Sequence, residues 1–202
     1  VTEKDFLRSA VSATRTAMPA DQRNAARLAI RRAVLQRCRD LSLPAGARVA
    51  GYQPLRTEPG SVELLVDLHA AGYQVIVPYT LPDRDLDWLP WSPDRPAGAP
   101  SRIGAQATPP PPDVLGPAAI GTAALVLVPA LAVDRAGHRI GRGGGSYDRA
   151  LARVPAGTVV AALIFSGELV DRVPTDPWDR PVTAVVSPAG WLDLPGTGRR
   201  NA

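Results

Sequence analysis

The sequence predicts a single α/β domain with a mostly parallel central sheet and helices on both faces. Three observations carry this expectation. Apolar segments of strand length alternate with amphipathic segments of helix length, the order that yields parallel strands joined by crossover helices. Two strand-like runs, "AALVLVP" (123–129) and "TVVAALIF" (158–165), are apolar throughout, as strands buried on both faces are. The length, 202 residues, suits one domain with a sizeable core. That domain is expected to fill 1–195, with 196–202 a flexible tail.

The elements follow in order. Residues 3–17 read as a helix with Phe6, Ala10, Val11 and Ala17 on its apolar side and Pro19 just beyond its end. Lys4 and Arg8 are i,i+4 neighbours on it, and Arg15 falls near the same face. A second helix spans 21–41, where Ile30, Ala33, Val34, Cys38 and Leu41 keep helical spacing. Arg23, Arg27 and Arg31 line its other side and read as a solvated face. "RVAGYQ" (48–53) is a strand, "SVELLVDLHAAG" (61–72) a helix stopped by Gly72, and "YQVIVPY" (73–79) a second strand. "DLDWLPW" (85–91) is an edge strand, because Pro90 has no N–H for a ladder. After the apolar run 123–129 a short helix follows Gly145. The run 158–165 leads into "SGELVDRV", read as a turn of helix, and "VTAVVS" (182–187) is the last strand. Residues 92–122 carry eight prolines, four of them consecutive at 109–112, and stand apart as a functional or mobile segment.

Composition bounds the function classes. No apolar run approaches the length of a membrane span, and "VTEKDFLRSAV" is charged where a secretory signal would be apolar. One cysteine, Cys38, excludes an internal disulfide framework and fits a reducing cytoplasm. It lies on an apolar helix stripe and reads as core rather than nucleophile. Net charge is +4, but Lys4 is the only lysine among 23 basic residues. Such arginine usage is weak support for a nucleic-acid partner. On spacing alone Lys4 reads as a solvated surface residue.

The densest chemistry lies in "VDRAGHRIGRGGGSYDRAL" (133–151). Three consecutive glycines sit between a buried strand and a short helix. Glycines there let backbone N–H groups approach an anion, which a helix N-terminus also favours. Arg139 and Arg142 add charge-assisted donors, and Asp148 is an acid that magnesium can join to a phosphate. These parts describe a cradle for a nucleoside triphosphate. The two common glycine motifs do not fit: no lysine precedes Ser146 as a P-loop requires, and Ser146 stands where a dinucleotide fingerprint needs glycine. A tight strand-to-helix connection is the competing reading of the same glycines.

"VPALAVDRAGHRIGRGGGSYDRAL" closely resembles the signature of the 5-formyltetrahydrofolate cyclo-ligase family, also called methenyltetrahydrofolate synthetase. Shorter matches agree in order: Lys4 and Arg8 on the first helix, "GYQPLRTEPGSVELL" with Glu58, and "RVPTDPWDRPVTAVV" with Asp179. The chain departs from the pattern at Ala130 (usually glycine), Val133 (usually phenylalanine) and Ser146 (usually the first of two tyrosines). Gly144 is lysine in some relatives.

The resemblance implies an enzyme that uses ATP and magnesium to convert 5-formyltetrahydrofolate to 5,10-methenyltetrahydrofolate, releasing ADP and phosphate through a phosphorylated formyl group. Carried over by residue, Lys4 and Arg8 reach the ATP phosphates. The loop Arg139, Ile140, Gly141, Arg142, Gly143, Gly144, Gly145, Ser146, Tyr147 wraps them, with Arg142 nearest the transferred group; Arg142 and Lys4 are the catalytic candidates. Asp148 and Asp179 hold magnesium. Glu58 bonds the pterin, Gln53 lines the same pocket, and Ser146 and Tyr147 lie where the two substrates meet.

From the residues alone, Asp179 could also cap a turn before Pro181, Glu58 be a solvated loop residue and Tyr147 pack under the helix. Asp134 reads as a structural turn with Gly137. The basic charge is compatible with a polyglutamylated folate. The expected state is a monomer or weak dimer without nucleic-acid or membrane partners. Two rivals remain: a relative that binds nucleotide or folate but turns over weakly because of Ser146, and a basic RNA-binding module built on the arginine row of the second helix.

Overall fold

A computed structural model describes residues 2–94 and 111–195. The expected tail 196–202 and most of the proline-rich segment lie outside the described residues. Helices α1 (Glu3–Ala17) and α2 (Ala20–Asp40) precede strand β1 (Arg48–Ala50), helix α3 (Val62–Ala70), and strands β2 (Gln74–Thr80) and β3 (Leu86–Pro90). A 3₁₀ helix (Pro117–Thr122) leads to β4 (Leu125–Pro129), β5 (Ala132–Asp134) and β6 (Arg139–Ile140). Helix α4 (Ser146–Leu151), β7 (Val159–Leu163), β8 (Leu169–Val170), β9 (Ala184–Ser187) and β10 (Gly190–Asp193) complete the chain.

The main sheet has the order β10-β9-β7-β4-β1-β2-β3. Its five inner strands are parallel, and β3 and β10 are antiparallel edges. Pro90 indeed lies on an edge strand. The residues of β4 alternate between two cores. Leu125 and Leu127 pack with Ile30, Val34 and Cys38 of α2 and Leu64, Leu65 and Leu68 of α3. Val126 and Val128 pack on the other face with Ile120, Tyr147, Ala150 and Trp88. Double-sided burial with period two explains why this strand reads as unbroken apolar sequence.

Sheet order positions the site. From β1 the chain moves outward to β2, then returns to place β4 on the other side of β1. The connections after β1 and β4 therefore diverge and leave a crevice at the carboxyl ends of the two strands.

Three short strands were not legible as such. β5, β6 and β8 form a separate sheet, in which Ala132 pairs with Ile140 and Val133 with both Arg139 and Leu169. The expected turn of helix at 166–173 is thus corrected to a turn followed by β8. Glu168 closes that turn by accepting from Phe165 N (2.7 Å), and pairing with β5 outweighs the local helical tendency. The β5–β6 hairpin is organised by Asp134, as the turn reading expected. Its carboxylate accepts from the N–H groups of Ala136, His138 and Val173 and contacts His138 Nδ1 at 3.0 Å.

The arginine row of α2 is not a solvated face. Arg23 is buried and donates to Arg15 O and Met18 O. Arg27 donates to the carbonyls of Leu55, Arg56 and Glu58, and Arg31 pairs with Asp67 on α3. Guanidinium donors here satisfy loop carbonyls, a use that spacing alone does not reveal. Cys38 is buried as expected, and that burial pushes its thiol up to about 11.

Helix α1 lies across the small sheet, with Leu7 and Val11 against Leu131, Ala132, Ile140 and Val173. Arg15 ties it down. Its Nε and Nη2 donate to the two oxygens of Glu168, each at 2.7 Å, and Nη2 donates to Ala130 O at 2.6 Å. Both side chains are nearly inaccessible, at 3% and 7%. Among the described residues no helix is long and apolar enough to cross a membrane.

Replacing Arg15 by Met strands a buried carboxylate and is expected to lower unfolding stability by about 3–5 kcal/mol. Arg15→Met combined with Glu168→Leu should lose distinctly less, because the uncompensated charge goes too. Urea midpoints read both, and a double variant that loses the sum of the single losses contradicts the pairing. A second expectation concerns acid. Burial alone would raise the Asp134 carboxyl, but bonds from Val173 N and His138 outweigh it and hold it below its ordinary value. Its stabilisation is therefore full above the unfolded carboxyl pKa, about 3.9, and is lost as pH falls through the lower folded value. The acid limb of stability against pH should be flatter in Asp134→Asn than in the parent.

Candidate functional site

A cavity of about 410 Å³ opens at the crevice beyond β1 and β4. It gathers most of the residues singled out in the sequence. Gln53, Leu55 and Glu58 come from the segment after β1, and Pro129, Ala130 and Leu131 from the end of β4. The run 139–148 and Asp179 close the other side. Lys4 and Arg8 do not line it. They brace the segments that do.

Glu58 is 6% exposed yet faces the cavity. The turn that presents it is closed twice, by Glu58 N donating to Leu55 O (2.9 Å) and by Leu55 N donating to Glu58 Oε2 (2.8 Å). Arg27 then staples the carbonyls of this turn to α2. Glu58 is thus a fixed carboxylate on a braced turn, not a solvated loop residue.

Arg139 is not on a loop. It belongs to β6, is buried, and donates Nη2 to Asp148 Oδ1 at 2.8 Å. Its guanidinium also lies over the Tyr147 ring, 5.7 Å from the centroid. Tyr147 is buried. Burial, and then the charge of Glu58, hold its phenol far above the ordinary value, so it stays a neutral donor at any working pH. Two polar atoms here, Arg139 Nε and Tyr147 Oη, are buried without a hydrogen-bond partner. Buried donors are rarely left unpaired, and these belong to two residues that line one cavity.

Between them runs the glycine bend. Gly143 has φ +100° and Gly145 φ +67°, a conformation that side-chain-bearing residues rarely adopt. The bend lets the chain leave β6 and enter α4 within a few residues, exposing Gly143, Gly144 and Gly145. Arg8 supports it by donating Nε to Gly141 O at 3.1 Å. Arg142 is exposed at the cavity, with no ion pair or hydrogen bond among the described residues. Exposed amides, an uncommitted guanidinium and an orphaned Nε form a surface suited to a polyanion. Ser146 is buried at the first position of α4, so its hydroxyl does not replace the face of a tyrosine ring.

The acids lie beside this surface. Asp148 Oδ1 takes bonds from Arg139 and from Arg180 N (3.2 Å). Asp179 Oδ2 takes bonds from Lys4 Nζ (2.7 Å) and Asp176 N (2.8 Å). Each carboxylate thus bonds through a single oxygen. Among the described residues no group of three or more His, Cys, Asp or Glu side chains gathers to hold a metal ion. A hard cation here would draw its other ligands from phosphate and water, as magnesium commonly does. Lys4 bridges Asp179 and Asp176, the latter at 2.6 Å. Burial alone would lower the Lys4 ammonium, but these two carboxylates hold it above its ordinary value. The sole lysine is therefore neither a solvated residue nor yet a free phosphate ligand. It is paired with Asp179, one of the two acids expected from the sequence to hold magnesium.

Arg15 was not assigned to the site from the sequence, yet it lines the cavity wall. Its helical phase with Lys4 and Arg8 was the available signal. Leu55 and Trp178 also line the cavity and carried no signal of their own. Ala130 and Val133, two of the departures, are buried, and the Ala130 carbonyl is the Arg15 acceptor.

The family model described as the 5-formyltetrahydrofolate cyclo-ligase family matches residues 1–188. A protein of Mycolicibacterium smegmatis named 5-formyltetrahydrofolate cyclo-ligase is 41% identical over 145 residues, 71% of this chain and 74% of that protein. A protein of the same name in Escherichia coli is 36% identical over 66 residues, 32% of this chain and 36% of the relative. Solved structures of 5,10-methenyltetrahydrofolate synthetases from Mycoplasma pneumoniae and Aquifex aeolicus each superpose with a TM-score of 0.72, at 17% and 24% identity. They cover 93% and 100% of this chain, and 99% and 97% of theirs. At those identities the likeness speaks for the fold. With the sequence match over 1–188, it follows that the chain belongs to the 5-formyltetrahydrofolate cyclo-ligase family.

Proposed function

We propose that this chain is an ATP- and magnesium-dependent 5-formyltetrahydrofolate cyclo-ligase, forming 5,10-methenyltetrahydrofolate with release of ADP and phosphate. The observation that carries the reading is one cavity with a braced, buried carboxylate on one side and a glycine bend flanked by arginines on the other. Orphaned Arg139 Nε, uncommitted Arg142 and the exposed glycines fit a triphosphate. ATP supplies the phosphoryl group that converts the formyl oxygen into a leaving group, after which N10 closes the ring.

The chain's residues then have defined tasks. Arg142 and Arg139 neutralise phosphate charge in a partly closed site, where fixed donors act most strongly. Arg8 holds the bend in register through Gly141, which is a matter of positioning. Asp148 and Asp179 would hold magnesium, which would supply neutralisation of phosphate charge. Lys4, now paired with Asp176 and Asp179, would then be available to phosphate. Glu58 accepts from the paired N–H groups of the pterin, with Gln53 beside it. Tyr147 offers its neutral hydroxyl where the two substrates meet, with Ser146 at its side. Leu55, Pro129 and Leu131 keep water from the activated carbon.

We assign the reaction to a reducing cytoplasm and to a monomer or weak dimer. A polyglutamate tail on the folate suits the net charge of +4. An RNA-binding role loses its basis, since Arg23, Arg27 and Arg31 are engaged internally.

Folded protein mixed with ATP, magnesium and 5-formyltetrahydrofolate should develop the near-ultraviolet absorption of the methenyl product; absence of that signal at controlled pH overturns the reading. Arg142→Ala should lower kcat by about 10²-fold. Glu58→Gln should raise KM for the folate and leave KM for ATP nearly unchanged. A Glu58→Gln variant with both constants unaltered would remove Glu58 from the pterin site.

A further inference from the structure

Trp178 lines the cavity and is 67% exposed, an unusual state for the largest apolar side chain. It is not on a fraying loop. Pro174, Pro177 and Pro181 restrict the backbone around it. Asp176 N donates to Asp179 Oδ2, and Asp179 N donates to Asp176 O (3.0 Å), closing a tight turn with Trp178 inside. Lys4 bonds both acids of that turn from α1. Arg180 N donates to Asp148, and Val182 N donates to Gly137 O at 2.8 Å. The segment is thus fixed before, within and after Trp178. A rigid, exposed indole at a cavity rim offers stacking area at little entropic cost.

Its place selects the ligand. Two tethers of the Trp178 turn run to the cationic end of the cavity: Lys4 on α1, and Asp148, the partner of Arg139. Glu58, Gln53 and Leu55 form the other end, beyond β1. In a reaction that joins a terminal phosphate to a formyl group, the phosphate chain lies between the pterin and the nucleoside. The base then falls on the side of the phosphates away from Glu58, where Trp178 stands. We propose that Trp178 is the stacking platform for the adenine ring of the nucleotide, an assignment that rests on the cyclo-ligase reading.

The test uses the whole chain, ATP with magnesium and no folate, and inorganic tripolyphosphate as a probe with the charge but no base. Of the four tryptophans, Trp88 and Trp91 are buried, and Trp191 is occupied with Asp193 and Arg37. The difference between the parent and Trp178→Phe therefore isolates Trp178. ATP should quench the parent but not Trp178→Phe, and tripolyphosphate should compete with ATP without quenching. Trp178→Ala should bind ATP about tenfold more weakly while keeping tripolyphosphate affinity. Equal losses for ATP and tripolyphosphate, an unchanged quench in Trp178→Phe, or an unchanged ATP affinity in Trp178→Ala overturns the assignment. Methenyl formation by the parent is followed in parallel. Turnover without the Trp178 signature defeats this inference alone, whereas failure of both ATP binding and turnover defeats the cyclo-ligase reading with it.

Discussion

The buried pair of Arg15 and Glu168 is the constraint on which the site depends. Arg15 arrives on α1, Glu168 closes the turn after β7, and the Ala130 carbonyl at the end of β4 completes the bond set. Three elements distant in sequence thus converge on one cavity wall. A buried ion pair is a poor source of net stability but a strict one of geometry, because neither partner tolerates the loss of the other. Here it fixes the phase of α1, which brings Lys4 to Asp176 and Asp179 and Arg8 to the glycine bend.

Around that anchor the site is arranged as paired opposites. Lys4 meets Asp179 and Arg139 meets Asp148, so cations and acids largely satisfy one another in this state. Under the proposed function, a phosphate chain would meet cations already placed by carboxylates, and a divalent cation would meet carboxylates already placed by cations. Glu58 lies outside these pairs, held by its own turn and by Arg27.

Much of this was legible in the sequence, for physical reasons. Strand β4 is buried on both faces and advertises itself as an apolar run, and Pro90 marked an edge. The bend at 143–145 was legible because little but glycine adopts its dihedrals. The family pattern drew Glu58, Lys4 and Asp179 toward it from distant parts of the chain. What was not legible depends on partners remote in sequence. Strands β5, β6 and β8, of two or three residues, have no period to read, and the local sequence of β8 suits a helical turn because its pairing with β5 leaves no mark on it. The arginines of α2 have the spacing of a solvated face, yet their acceptors are loop carbonyls that carry no side-chain signal. Trp178 likewise gains meaning only from the bonds that fix its turn.

In the proposed reaction the bend at Gly143–Gly145 receives the phosphates of ATP. Amide chemical shifts of the isotopically labelled protein, followed as ATP and magnesium are added, test it most directly. Shifts at Gly141, Gly143, Gly144 and Gly145, reproduced by tripolyphosphate, are the predicted result. Saturable ATP binding that leaves those amides unmoved, with shifts confined to another surface, would contradict the account.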